Sequence, residues 1–117
     1  MRVSLDRGLL RISTRAREGV LHVVVHGEVD SVTVELLQHA VAAALRRGPR
    51  SLVVDLDDVG FFSSAGIAHL LAVRERCAEQ EIDFRLRAPH QVRRALELVG
   101  VDAVFTLVGP DADVSST

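Results

Sequence analysis

The sequence predicts a single α/β domain, a mixed and mostly parallel sheet with helices packed against it, in the order β-β-α-β-α-β-α-β. Three observations carry this prediction. β-branched apolar runs alternate with stretches whose apolar residues recur at helical spacing. A short turn joins the first two strand-like runs, which makes them an antiparallel hairpin. Each later pair of runs is separated by a helix-length segment, the connection that parallel neighbours need. A chain of 117 residues suits one domain and leaves little room for two.

The elements follow in order. Leu9 to Ala16 alternates loosely and reads as a strand, and Arg17-Glu18-Gly19 as a turn. Val20 to His26 is β-branched and apolar, a central strand. Gly27-Glu28-Val29-Asp30 breaks the run, and Asp30 or Ser31 can cap a helix reaching about Arg47. Its inward stripe is Val34, Leu37, Val41 and Leu45, and Gly48-Pro49 stops it. Ser51 to Leu56 is a second buried strand, and Asp57 to Phe62 reads as a loop. A long helix is expected from Ser64 to Gln80, with Ile67, Leu70, Leu71 and Ala78 inward. Asp83 to Ala88 makes a short strand. Pro89 opens a third helix with the stripe Val92, Ala95, Leu96 and Val99, which Gly100 ends. Ala103 to Val108 offers a last strand. Residues 1–108 thus form the domain, and 109–117 are expected to be a disordered, acidic polar tail.

Composition removes several classes of function. Apolar residues make up 48% and charged residues 26%, so the chain is not disordered by default. Phe61, Phe62, Phe84 and Phe105 are the only aromatics, which leaves the core to aliphatic side chains. All 14 basic residues are Arg, yet the net charge is -2 and the isoelectric point about 6.2. No basic surface interleaved with aromatics exists to bind nucleic acid. The single Cys77 excludes an internal disulfide framework and fits a reducing compartment. There is no signal-like apolar stretch at the N-terminus and no run near the ~18 apolar residues that cross a bilayer. A cytoplasmic protein is the expectation.

The candidate chemistry is sparse. His22 and His26 share a strand face about 13 Å apart, too far to ligate one metal. His39, His69 and His90 fall on different helices without ligand spacing, so no metal is expected. Cys77 has no activating neighbour and reads as a small core residue. There is no Walker-type loop and no Gly-x-Gly-x-x-Gly, and no cofactor is implied. The one dense constellation is Val59-Gly60-Phe61-Phe62-Ser63-Ser64-Ala65-Gly66-Ile67 at a strand-loop-helix junction.

Three readings of this segment stand side by side. Ser63 or Ser64 can simply cap the helix. The spacing also approaches the nucleophile elbow Gly-x-Ser-x-Gly, with Asp83 and His90 following in triad order, although Phe62 stands at the first Gly position. Alternatively, a serine at a helix start is a favourable seat for a phosphate, because free N–H groups and the positive dipole end face it. Asp30, Asp57 and Asp58 are expected on the same sheet edge, where a phosphate would concentrate negative charge.

Three segments together resemble the STAS domain, in particular the stand-alone bacterial anti-sigma factor antagonist. Val25-His26-Gly27-Glu28-Val29-Asp30 is similar to the family's strand-Gly-Glu-Leu-Asp segment. Leu52-Val53-Val54-Asp55-Leu56 resembles its central strand. The segment from Val59 to Ile67 resembles its Asp-Ser-Ser-Gly-Leu loop and helix start. Aligned on Gly66, the resemblance implies Ser64 as the phosphorylated residue. Ser63 then stands where the family has Asp, and Ala65 where it has a second small hydroxyl residue. The family's closing helix is expected to be short or missing after Val108.

The resemblance implies partner switching without catalysis. The unphosphorylated protein binds an anti-sigma factor of histidine-kinase-like ATPase fold, that serine kinase disables it by phosphorylation, and a phosphatase restores it. The implied partner-binding set is Asp30 as a neighbouring edge contact, Ser63 and Gly66, which shape the helix start, and Phe61 and Phe62, of which one can pack under the loop and an exposed one can anchor the interface. For Asp30 a helix-cap role is the equal alternative, and for Asp55 a strand-end hydrogen bond. Two other functions remain open at this level: an unphosphorylated STAS interaction subunit of a transporter or sensory complex, motivated by Ser63 and Ala65, and a small serine hydrolase.

Overall fold

Two hairpins and three helical crossovers build the molecule. The computed structural model describes residues 2–109, with side chains from residue 8 onward. Strand β1 (Arg2–Arg7) pairs antiparallel with β2 (Leu10–Arg17), and β2 pairs antiparallel with β3 (Val20–Val29). Both residues of the β2–β3 turn have positive φ, Glu18 at 53° and Gly19 at 83°. That is the primed two-residue turn, whose twist suits a hairpin. Helix α1 (Val34–Arg46) crosses to β4 (Ser51–Phe62), and α2 (Ser64–Glu79) to β5 (Asp83–Arg87). Helix α3 (His90–Leu98) and a 3₁₀ turn (Asp102–Val104) lead to β6 (Leu107–Val108). β3 to β6 are parallel neighbours, and the six strands lie in chain order.

A sheet that steps one way through crossovers of one hand carries its helices on one face. The burial pattern agrees. Leu37 and Val41 of α1, Leu70 and Val73 of α2, and Val92 and Leu96 of α3 share one apolar cluster with Leu21, Val23, Val25, Leu52, Val54 and Leu86. The intervening residues His22, Val24, His26, Asp55, Arg85 and Arg87 occupy the opposite face and are only half-buried. Period-2 alternation on the strands and the 3.6-residue stripe on the helices therefore point at the same core.

Several boundaries depart from the sequence expectation. β1 lies in a segment whose apolar content is only Val3 and Leu5, too short an alternation to stand out. β3 does not stop at His26 but continues to Val29 through two register shifts against β4. Gly27 makes this possible. Its φ is 114°, and a Cβ there would lie 1.8 Å from the Leu9 carbonyl oxygen. β4 likewise runs to Phe62, so Asp57 to Phe62 is strand and not loop. Groups distant in sequence support that stretch: His26 Nδ1 lies 3.0 Å from Asp58 Oδ2, and the Gln91 amide donates to the Val59 carbonyl at 3.0 Å.

The end of the chain is corrected too. The expected strand from Ala103 shrinks to Leu107–Val108, because Asp102 to Val104 curl into the 3₁₀ turn. Arg74 donates to the Val104 carbonyl and Arg93 to those of Ala88 and Val108, which ties this turn and β6 down. Within α2, Ala78 is exposed and Val73 and Cys77 take the inward places; α3 ends before Val99, which is exposed. The expected tail beyond 109 and the question of a closing helix lie outside the described residues.

Candidate functional site at the carboxyl edge of the sheet

Loops that follow parallel strands emerge on one edge, so the ends of β3 and β4 meet. The Ser63 N–H donates to the Val29 carbonyl at 2.9 Å, which joins them directly. Ser63 is extended (φ -84°, ψ 174°) and turns the chain into α2, and the Ile67 N–H donates back to the Ser63 carbonyl at 3.1 Å. The Ser63 side chain does not cap the helix. Its Oγ is buried without a hydrogen-bond partner among the described residues. Ser64, the first helical residue, is exposed. No acidic residue sits in the first turn of α2, so its positive end is uncompensated. The cap reading of Ser63 and Ser64 therefore fails, and only Ser64 presents an accessible hydroxyl at this end.

The two phenylalanines divide. Phe62 is 8% exposed and its ring packs against Gly66, where a Cβ would lie 2.7 Å from Cζ. Phe62 and Gly66 thus shape the helix start from within, and the expectation of Phe62 as a partner contact is corrected by its burial. Phe61 is 52% exposed on the adjacent position.

Asp30 does not cap α1 itself, whose N-cap is Thr33, but closes the turn that leads into it. Its Oδ1 accepts the N–H groups of Val32 (2.9 Å) and Thr33 (2.8 Å). In return the Asp30 N–H donates to Thr33 Oγ1 at 2.9 Å, and that hydroxyl donates to the Glu28 carbonyl at 2.8 Å. The Thr33 N–H foremost, then that of Val32, holds the Asp30 carboxyl below the usual range. Thr33 is buried, and sequence reading missed it; the Asp-x-x-Thr spacing before an apolar run was its one available signal.

Asp57 and Asp58 do not join this cluster. Because β4 continues as strand, Asp58 lies roughly 16 Å along it from Ser63. Asp57 and Asp55 instead approach Arg87 at 4.0 and 3.9 Å, and Asp55 Oδ1 accepts the Asp57 N–H at 3.0 Å. Burial, followed by the Asp55 charge, raises the Asp57 pKa. A triad is not assembled either. Asp83 starts β5, paired with Arg85 at 3.1 Å, while His90 follows the far end of that strand, roughly 20 Å on. Among the described residues, no group of three or more His, Cys, Asp or Glu could hold a metal ion, and no helix is long and apolar enough to cross a membrane.

A model of the STAS domain matches residues 11–114. The chain belongs to the STAS domain family. This STAS domain is 31% identical over 99 residues to the anti-sigma-F factor antagonist RsfB of Mycobacterium tuberculosis, covering 84% of this chain and 80% of that one. It is similar to the crystal structure of an anti-sigma factor antagonist from Mycobacterium paratuberculosis, with 30% identity and a TM-score of 0.77 over 99% of this chain and 90% of the other. The anti-sigma factor antagonist SpoIIAA in its unphosphorylated form shares the fold, with a TM-score of 0.73 at 15% identity over 90% of each chain.

Proposed function

We propose that this STAS domain is a cytoplasmic anti-sigma factor antagonist that works by partner switching, with Ser64 as its switch. The observation that carries the reading is the contrast at the start of α2: Ser64 is exposed, whereas the Ser63 hydroxyl is buried. The named relatives support the antagonist role. In the neutral form the edge around Ser64 docks on an anti-sigma factor of kinase-like ATPase fold and releases the sigma factor. In the modified form, Ser64 Oγ has bonded to the γ-phosphorus of ATP, ADP has left, and the hydroxyl proton has passed to a base on the kinase. The protein supplies the acceptor and no catalytic group, and a phosphatase reverses the step.

The phosphoryl group brings a charge of about -1.5 to -2. At the first position of α2 it gains about 0.3–1 kcal/mol from the helix end, so the modified domain stays folded. The partner surface that accepted a neutral hydroxyl then meets an anion it must desolvate. A switch of this kind works through the difference in affinity between the two forms.

The test is incubation with candidate kinase-fold partners and ATP, followed by peptide mass mapping. Phosphate on Ser64 is expected, with Ser64→Ala retaining binding and Ser64→Asp weakening it. Binding that persists while no phosphate reaches Ser64 would favour an unmodified interaction subunit of a transporter or sensory complex, for which Ser63 and Ala65 in place of the family's usual residues speak.

A further inference from the structure

We infer that the groove between α1 and α2 binds a small organic acid, with its carboxylate between Arg76 and His69 and its apolar part over Ala42, Ala72 and Val73. This site stands apart from the antagonist reading, since it lies in the helix layer and not at the sheet edge. The groove holds about 380 Å³, which is within the range of roughly 300–1,000 Å³ typical of small-molecule sites.

Helix α1 lines the groove with His39 and Ala42, and α2 with His69, Ala72, Val73 and Arg76. Spacings of three and four residues keep each set on one side of its helix. Ala42 and Ala72 are the reason for the space, because neither side chain reaches across to the other helix. Val73 is 1% exposed and closes the floor. The result is an apolar trough with polar groups at a few fixed places, the usual composition of a ligand site.

The polar groups select an anion. Among the described residues, no Asp or Glu lines the groove. Arg76 is exposed and has no ion pair among the described residues. The His69 Nε2 is closed off from solvent and has no hydrogen-bond partner among the described residues. Buried polar atoms of native proteins are nearly always paired, so this nitrogen calls for a partner. A carboxylate entering between the helices supplies one: Nε2–H donates to one oxygen and the Arg76 guanidinium to the other. A metal ion fits poorly, because the Arg76 charge repels it and no carboxylate or thiolate completes a ligand set there. Inorganic phosphate would leave the floor of Ala42, Ala72 and Val73 uncovered. An acid with an apolar body uses both halves of the groove.

Nuclear magnetic resonance titration of the full chain with sodium benzoate tests this, following the His39 and His69 rings and the Ala42 and Ala72 amides. Saturable shifts of all four are expected. Bound benzoate places a negative charge beside His69, so its ring is expected to protonate at higher pH than the ligand-free value of about 4. Benzyl alcohol has the apolar body without the charge, and inorganic phosphate the charge without the body; each is expected to bind at least tenfold more weakly. Arg76→Gln is expected to weaken benzoate tenfold or more. Ala72→Leu, which fills the groove with a good helix former, is expected to abolish binding. Arg94→Gln, at an exposed arginine of α3, is the control and is expected to stay within twofold. Shifts that do not saturate, or wild-type affinity in Arg76→Gln and Ala72→Leu, overturn the site. Benzyl alcohol or phosphate binding as tightly as benzoate overturns the organic acid as its ligand. None of these outcomes touches the role of Ser64.

Discussion

The Phe62 ring occupies the space that a side chain on Gly66 would need, at 2.7 Å from a Cβ placed there. Gly66→Ala gains up to about 1 kcal/mol in helix propensity. Overpacking against a buried ring costs about 1–3 kcal/mol. The clash wins, and a net loss of about 1 kcal/mol is expected in urea unfolding. Phe62→Leu in the same chain is expected to relieve part of that loss, because the smaller side chain vacates the contested space.

Ser63→Ala removes a buried hydroxyl that has no partner. No hydrogen bond is lost and the burial of an unsatisfied group is relieved, so stability is expected to hold or rise by up to about 1 kcal/mol. Phosphate incorporation at Ser64 is expected to persist in this variant. A marked fall in melting temperature would show that the Ser63 hydroxyl has a partner.

Thr33→Val deletes the acceptor of the Asp30 N–H and the donor to the Glu28 carbonyl. With both groups part-buried, a loss of about 1–3 kcal/mol is expected on thermal unfolding. Asp30 adds a pH signature. Its folded pKa is lowered, so its contribution is present above the unfolded value of about 3.9 and fades as pH falls through the folded one. Wild type and Asp30→Ala should therefore converge in stability in acid below about pH 4.

His69 faces the groove between α1 and α2, together with His39 and Arg76. Burial, aided by the Arg76 charge, lowers its pKa to about 4. A histidine held neutral in the fold and free to protonate when unfolded destabilises the fold as pH falls from about 6.5 towards 4. In His69→Gln that segment of the stability–pH curve should flatten. In nuclear magnetic resonance titration, the His69 ring signals of the wild type should still report a neutral imidazole at pH 5.

What could be read from the sequence was local. The stripe Val34, Leu37, Val41 and Leu45 is buried throughout, as its helical spacing requires. The place of Ser64 at the start of a helix was legible because the segment that presents it lies within nine residues of chain, Val59 to Ile67. What escaped was set by partners far away. Asp57 to Gly60 carries turn-forming residues, yet it pairs as strand with support from His26 and Gln91. Leu9 gave no sign of meeting Glu28, since that hydrogen bond depends on the close approach of the β1–β2 turn to Gly27. Cys77 is buried, as a small core residue should be, whereas Ala78 was placed inward in error, one position or about 100° of helix rotation away, enough to turn a side chain from core to solvent.

The chain order of the strands has a consequence for synthesis. Every pairing joins consecutive strands, so no part of the sheet waits for a distant segment before it can form. β1 to β4 and the edge that carries Asp30, Phe61 and Ser64 are encoded before β5, α3 and β6 leave the ribosome. The nascent chain can therefore assemble its recognition edge first and add the rest of the sheet afterwards, one strand at a time.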